Sequence, residues 1–219
     1  MEKIDEYWDR IHLQYNSTYD EWLNKYVPLF NKDSRVIELG CGRAYCSKYL
    51  LENGFKNIVA CDISKEVLKI VNNVTPELKT LLFDMSKGLP FDNGSIDVII
   101  ADLSLHYFNS TTTDFIFDEI YRVLSDNGLL IARVNATNDM LHIPENSKEI
   151  EKNFYYDGEI YKKFFDCDDF IRLFNGFNIL SLEQKNMSRY EKTKMLWEFC
   201  IKKSSVKRGI KDDKRGVTI

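Results

Sequence analysis

The feature that most limits the possible folds is an alternation of short apolar runs with amphipathic helical patterns. Mostly apolar runs predict strands at 35–39, 57–61, 78–83, 96–101 and 129–134. Between them, a period of three to four residues predicts helices over 45–53, from 64 onward and over 114–124. Apolar strands separated by helices indicate a parallel sheet that is covered on both sides. Right-handed crossovers then make the chain a doubly wound α/β fold.

Segments with other patterns flank this core and follow it. Residues 1–32 carry aromatic residues at helical spacing and are interpreted as a helical lid. Residues 33–202 form the main domain. Its last elements are predicted as a helix and two strands, at 168–174, 177–182 and 196–201. No regular pattern is readable from 135 to 162. Residues 203–219 are basic, and we expect this tail to be disordered.

Charge and cysteine content exclude several classes of protein. The net charge of −4 provides no overall attraction to nucleic acid or to an anionic membrane. The 5 cysteines include no Cys-x-x-Cys pair, so neither a disulfide framework nor a zinc site is expected. No stretch is typical of a signal peptide or of a membrane-spanning helix. We therefore expect a cytoplasmic monomer or homodimer without a membrane partner, and nucleic acid is disfavoured as a partner.

A glycine pair directly after the first predicted strand marks the candidate binding site. In open α/β sheets, ligands bind beyond the carboxyl ends of the strands, and glycines there let the backbone approach a ligand closely. Gly40 and Gly42 occupy that position. Tyr45 stands where a dinucleotide-binding fingerprint has its third glycine, and no Gly-Lys-Ser/Thr of a phosphate loop follows. Glu38, just before the glycines, repels phosphate and favours a cationic ligand.

Acidic residues also follow the next two strands. Asp62 ends the second strand, where a carboxylate can accept both hydroxyl hydrogens of a ribose. Asp84 follows the third strand and can accept from an adenine amino group, while Ile63 and Met85 can sandwich the ring. Either acid alone also fits a helix cap or a solvent-exposed strand end. Their joint placement favours a ligand that contains adenosine.

The order of these motifs resembles that of the class I S-adenosylmethionine-dependent methyltransferases, particularly those that act on small molecules. The matching segments are 36–42, 60–64, 83–85, 89–99, 119–124 and 128–130. The resemblance implies a Rossmann-like, seven-stranded, mainly parallel sheet with an antiparallel final strand. It also implies S-adenosylmethionine as cofactor and S-adenosylhomocysteine as product. Ala44 departs from the pattern, since many members have a third glycine there.

The resemblance further implies which residues hold the cofactor. Glu38 and the two glycines hold the methionyl end, Asp62 holds the ribose and Asp84 holds the adenine. The complete expected cofactor set, in chain order, is Glu38, Gly40, Cys41, Gly42, Asp62, Ile63, Asp84, Met85 and Asp102.

The methyl acceptor is expected beyond the fourth and fifth strands. His106 is a candidate general base, because an imidazole titrates near neutral pH, and a packing role is the alternative. Arg133 and Asn135 are candidates for binding an acidic or polar acceptor, with pairing to surface groups as the alternative. Tyr107 and, in the lid, Tyr15 complete the candidate acceptor set.

The favoured function is therefore methyl transfer by in-line displacement to a small molecule. No metal is expected, because Asp102 alone does not make the carboxylate set that metal-dependent members of the family place after these strands. RNA or protein acceptors stay open, through the basic tail and the irregular 135–162 segment. A non-catalytic cofactor-binding protein is the alternative from another class, and an NAD-dependent oxidoreductase is the least favoured hypothesis.

Overall fold

The computed structural model describes residues 4–14, 18–139, 143, 146–189 and 192–205, which form ten strands and five α-helices. The strands are β1 (Val36–Leu39), β2 (Ile58–Asp62), β3 (Lys79–Leu82), β4 (Ile96–Asp102), β5 (Leu124–Asn135), β6 (Lys148–Glu151), β7 (Phe154–Tyr156), β8 (Tyr161–Lys163), β9 (Phe177–Met187) and β10 (Lys194–Lys203). The helices are α1 (Ile4–Gln14), α2 (Tyr45–Glu52), α3 (Lys65–Val74), α4 (Ser110–Val123) and α5 (Cys167–Leu173).

Seven of these strands form one sheet in the order β3-β2-β1-β4-β5-β10-β9. The pairs among β1 to β5 are parallel, and β10 runs antiparallel to both β5 and β9. The predicted doubly wound, mainly parallel sheet with an antiparallel final strand is confirmed. The strand order reverses between β1 and β4, where sheets of this kind bind ligands. Because β10 is antiparallel, its first residues lie at the same edge as the carboxyl ends of β1, β4 and β5.

Apolar side chains cover both faces of the large sheet, as the alternation along β1 illustrates. Ile37 and Leu39 belong to a cluster that includes Phe117 of α4. Val36 belongs to a second cluster, which includes Leu50 of α2. Each large apolar side chain buried in this way contributes about 1.5–3 kcal/mol. These two layers hold the strand ends, and therefore the candidate site, in fixed positions.

Polar side chains fix where the helices begin. Ser64 accepts a hydrogen bond from the backbone N–H of the third residue of α3, as its sequence position predicts. Asn109 caps α4 in the same way, and Asp166 and Asp169 form a capping box at α5. Each cap starts its helix within a few residues of a preceding strand.

The structure differs from the sequence-based expectation in three segments. Of the described N-terminal residues, 4–14 form α1, whereas 18–32 form mostly turns, with a 3₁₀ turn at Val27–Leu29, instead of continuing the helical pattern. The fifth strand begins at Leu124 rather than at 129, with a register shift opposite β4 between Ile96 and Val98. The 135–162 segment contains β6, β7 and the start of β8, which form a separate antiparallel sheet. Strands of three or four residues are too short to show an alternation in the sequence.

Two of the expectations fall on positions that the structure does not describe. Tyr15 lies outside the described residues, and so do residues 206–219 of the expected basic tail. None of the helices in the described ranges combines the length and the apolar character needed to cross a membrane.

Candidate active site

The loop after β1 is shaped by two glycines with left-handed backbone angles. Gly40 has φ of 61° and Gly42 has φ of 51°. A Cβ atom on Gly40 would lie 2.4 Å from the Cβ of Ser104, so only glycine fits where this loop meets the loop after β4. Cys41 is buried, and its backbone N–H donates to the carbonyl oxygen of Cys61 at 2.9 Å. We call residues 40–44 the glycine loop.

The left-handed backbone of Ala44 explains why many class I methyltransferases, which the sequence resembles, have glycine at this position. Its φ is 57°, and it directly precedes α2. A left-handed conformation costs a non-glycine residue about 1–2 kcal/mol. The chain therefore keeps the backbone shape of the motif although the third glycine is missing.

Glu38 lies beneath the glycine loop and is only 3% exposed. Its Oε2 accepts hydrogen bonds from the backbone N–H and from the hydroxyl of Ser47, at 2.9 and 2.5 Å. Burial raises the pKa of Glu38 to about 7, and the nearby charge of Asp102 acts in the same direction. A cation bound next to this carboxyl group would favour its ionised form.

Asp62 ties the end of β2 to the glycine loop. Its Oδ2 accepts from the backbone N–H of Gly42 at 2.8 Å, and its Oδ1 accepts from the backbone N–H of Ser64 at 2.9 Å. Burial raises the pKa of Asp62. The backbone N–H of Ile63 also donates to this carboxylate, which leaves about one of its four lone-pair positions for a ribose hydroxyl. Ile63 is partly buried directly after it.

Asp84 makes contacts with its neighbours in the chain, whereas Met85 extends to the glycine loop. Asp84 accepts hydrogen bonds from the backbone N–H and hydroxyl of Ser86 and pairs with Lys87 at 3.2 Å, so it caps a short 3₁₀ turn. The Cε of Met85 comes within 3.7 Å of the place where a Cβ on Gly40 would lie. Met85 therefore reaches the glycine loop, whereas the present hydrogen bonds of Asp84 are local.

Helix α1 lies across this edge of the sheet. Cε1 of His12 is 3.2 Å from the position of a Cβ on Gly42, and the backbone carbonyl of His12 accepts from Arg43 at 2.9 Å. Asp9 accepts from the hydroxyl of Ser64 at 2.5 Å. The lid prediction relied on aromatic spacing and missed Asp9 and His12, which no local motif marks.

The aromatic contacts of α1 continue to the acceptor side. The ring of Trp8 meets that of Tyr107 edge-on at 4.8 Å, and Tyr107 lies 4.5 Å from the His106 ring. Arg10 pairs with Glu159, which precedes β8, at 3.3 Å. One helix therefore spans the glycine loop and the segment after β4.

Asp102 and three further charged side chains form a cluster, which we call the ion cluster. Arg133 donates to both carboxylate oxygens of Asp102, at 2.7 and 2.9 Å, and to Asp20 at 2.8 and 3.2 Å. Arg189 donates to Asp20 and Asp102, at 2.8 Å each. The Arg133 guanidinium also lies 4.5 Å from the Trp22 ring centre.

The hydrogen bonds of the ion cluster favour the pairing alternative for Arg133, and its binding of an acidic acceptor stays a prediction. Arg133 is 2% exposed, and each of its three guanidinium nitrogens donates to Asp20 or Asp102. Asp102 is held in the same cluster rather than presented to a ligand. The sequence does not indicate Asp20 and Arg189, because each is far from its partner along the chain. Asp20 is 113 residues from Arg133, and Arg189 is 87 residues from Asp102.

His106 lies on the acceptor side, and one of its ring nitrogens is engaged by the backbone, which leaves the other as a hydrogen-bond donor. Its Nδ1 accepts from the backbone N–H of Asn135 at 3.3 Å, so the neutral ring carries its proton on Nε2. It is 1% exposed, and burial lowers its pKa well below the usual range. A catalytic role for His106 stays a prediction, but this geometry favours orienting a ligand over removing a proton.

Comparisons with known proteins find a methyltransferase domain in this chain. Residues 37–132 match a family model described as a methyltransferase domain. The Bacillus subtilis protein YqeM, which carries a methyltransferase name, is 29% identical over 130 residues, 57% of this chain and 52% of that protein. Human mitochondrial arginine-hydroxylase NDUFAF5 is 28% identical over 96 residues, 44% of this chain and 27% of that protein.

Two further matches bear on the fold and on the range of named activities. Human eEF1A lysine and N-terminal methyltransferase is 25% identical over 137 residues, 58% of this chain and 20% of that protein. This chain thus spans about half or less of the length of these curated relatives. A solved S-adenosylmethionine-dependent methyltransferase from Methanosarcina mazei superposes with a TM-score of 0.72 at 16% identity, covering 86% of this chain and 99% of that one. That likeness shows a shared fold.

Proposed function

We propose that this chain, which belongs to the class I S-adenosylmethionine-dependent methyltransferases, transfers a methyl group from that cofactor to a small molecule. The position of α1 carries the choice of a small acceptor. His12 lies against the glycine loop at Gly42, and Trp8 packs on Tyr107 beyond β4. A helix in this position encloses the edge at which cofactor and acceptor would meet. Enclosed sites suit small ligands better than protein or RNA segments.

The residues present fit the cofactor in their shape and donor chemistry. The left-handed backbone of Gly40 gives a ligand close access to the main chain. Asp62 places a carboxylate that can still accept from a ribose hydroxyl at the end of β2, and Met85 offers an apolar contact beside the loop. Glu38 supplies a carboxyl group that suits a cationic methionyl end. When bound, S-adenosylmethionine supplies a methyl group activated by a sulfonium.

The contribution of the chain itself is alignment and exclusion of water. An in-line displacement needs the acceptor atom, the methyl carbon and the leaving sulfur in one line, and good alignment alone lowers the barrier strongly. The loops after β1 and β4 hold one side of the site, and α1 covers it. His106, as a neutral donor, orients the acceptor. The ion cluster joins β4 and β5 next to this site, because Arg133 of β5 donates to Asp102 at the end of β4.

A protein acceptor is the second candidate, because one relative is named as a lysine and N-terminal methyltransferase. The position of α1 argues against it, since a protein segment could reach the edge only after α1 moves. An RNA acceptor, suggested by the basic tail, predicts that removing residues 203–219 lowers activity or makes it more sensitive to salt. Unchanged activity after that deletion would argue against a role for the tail.

Transfer of labelled methyl from S-adenosylmethionine into a cell extract tests the choice of acceptor. The extract is divided by ultrafiltration into small molecules and macromolecules before the reaction. We expect label in the small-molecule fraction, with formation of S-adenosylhomocysteine, and a large loss for Asp62→Ala. Asp126→Ala, at an exposed position, is the matched control. Label confined to the macromolecules would contradict the proposal of a small acceptor.

A further inference from the structure

One lysine at the acceptor edge of the sheet binds no oppositely charged side chain among the residues that the structure describes. Lys194 is partly buried, and among the residues that the structure describes no hydrogen bond or ion pair reaches its ammonium group. Its neighbours are paired: Lys162 binds Asp157 at 2.7 Å, and Lys163 donates to the carbonyl oxygen of Lys152 at 2.9 Å. Lys194 differs from these two lysines because, within the described ranges, the charge of Asp139 acts on it but no side chain binds its ammonium group.

The position of Lys194 follows from the direction of β10. Leu196 pairs with Asn135 at the end of β5, so Lys194 lies two residues further, beyond the carboxyl edge of the sheet. Burial lowers the pKa of His106, and the charges of Lys194 and Lys162 act in the same direction, which places both lysines near that imidazole. Burial also lowers the pKa of Lys194 to about 8, although Asp139 opposes the shift.

A second unsatisfied group belongs to Asn135, whose backbone N–H donates to Nδ1 of His106 at 3.3 Å. Asn135 is 1% exposed, and its Nδ2 donates to the carbonyl oxygen of Lys163 at 3.3 Å. Its Oδ1 is buried and accepts no hydrogen bond from the described part of the chain. A buried acceptor without a donor costs about 1–3 kcal/mol. A ligand with an N–H or O–H group would satisfy it.

We propose, building on the proposed function, that the methyl acceptor is a neutral alcohol or amine that also carries an anionic group, which the ammonium of Lys194 binds. The anionic group is a carboxylate or a phosphate. Oδ1 of Asn135 accepts a hydrogen bond from the hydroxyl or amine, and the proton that this group loses once it is methylated goes to solvent water. The positive charge of Lys194 also repels a cationic acceptor such as a lysine side chain.

Fractionation of the small-molecule extract by charge tests this proposal. The extract is passed over an anion exchanger at pH 7, and both fractions are incubated with labelled S-adenosylmethionine. We expect label in the retained, anionic fraction. Lys194→Met should raise KM for that fraction about tenfold or more, since a hydrogen bond to a charged group is lost. Lys194→Arg should retain most of the activity, and Lys192→Met, at an exposed position, should match the wild type.

Label only in the unretained fraction would overturn the proposal while leaving methyl transfer intact. Calorimetric binding of S-adenosylmethionine separates this outcome from a failure of the proposed function, because it does not depend on the acceptor. Inorganic phosphate and benzoate, each added at constant ionic strength, provide a test without any acceptor. At least one of them should raise the melting temperature of the wild type and of Lys192→Met more than that of Lys194→Met. Equal shifts with both anions would overturn the proposal.

Discussion

Two groups of buried charges at the same edge of the sheet are treated in opposite ways by the fold. In the ion cluster, each charged side chain contacts at least one of opposite charge, at 2.7–2.8 Å, and Arg133 and Asp102 are almost fully buried. Glu38 and Lys194 instead bind no oppositely charged side chain in the described parts of the chain. Glu38 is held by hydrogen bonds from Ser47, and no hydrogen bond from the described residues reaches the Lys194 ammonium.

The difference separates charges that hold the fold from charges that await a ligand. Paired buried ions are costly to break, since the remaining partner is left without compensation. Unpaired buried groups shift their pKa toward the neutral form instead, as those of Glu38 and Lys194 do. Glu38 suits the cationic end of the cofactor, and Lys194 suits an anionic acceptor. The signs of the two groups thus match the two ligands proposed for this edge.

Breaking the ion cluster is expected to have the largest effect. Arg133→Met leaves Asp20 and Asp102 facing each other with one cation fewer, and the free energy of unfolding should fall by about 3–5 kcal/mol. The control is Arg35→Met, because Arg35 pairs with Asp97 at 2.7 Å on the exposed surface. That change should cost at most about 1 kcal/mol. Urea unfolding measures both, and similar losses for the two variants would remove the distinction.

Replacing Glu38 tests whether the unpaired acidic group makes stability depend on pH. The folded state raises the pKa of Glu38 to about 7, above its ordinary value, so it keeps a proton that the unfolded chain has already lost. Stability should therefore fall as pH rises from about 4.5 to 7, by up to about 1.4 kcal/mol per pH unit. Glu38→Gln should lack this component. Parallel stability curves for wild type and variant across that window would contradict the assignment.

Replacing Lys194 gives the smallest and oppositely directed effect. Because the folded state lowers the pKa of Lys194 to about 8, the unfolded chain binds the proton more strongly above that pH. The wild type should gain stability relative to Lys194→Met as pH rises from about 8 to 10, by at most about 1.4 kcal/mol per pH unit. At pH 7 the variant should be as stable as the wild type or more so. A large loss at pH 7, like that of Arg133→Met, would show that Lys194 is a structural charge.

The cofactor half of the site could be predicted from the sequence because its residues belong to short motifs at the ends of strands. Gly40 and Gly42 were expected to adopt special backbone angles, and both have positive φ. Asp62 was expected at the end of β2 and lies there. These positions follow from strand periodicity and from the short loops of a doubly wound sheet. Their contacts with a cofactor stay predictions.

The acceptor half was not readable, because distant segments assemble it. Asp20 and Arg189 reach Asp102 from the N-terminal segment and from the loop after β9, and neither belongs to a motif. Lys194 is brought to the edge by the antiparallel course of β10, which the sequence indicated only as a closing strand. His106 and Asn135 were named, but the hydrogen bond from the Asn135 backbone N–H to Nδ1 of His106, which leaves the proton of the ring on Nε2, depends on three-dimensional packing.

Calorimetric titration of the folded chain with S-adenosylmethionine tests the central claim most directly. We predict saturable binding at one site, weakened at least about tenfold in Asp62→Ala, because hydrogen bonds to a charged carboxylate contribute about 1.5–3 kcal/mol. Asp126→Ala should bind like the wild type. The absence of binding by wild-type protein whose circular dichroism and cooperative unfolding show it to be folded would contradict the account.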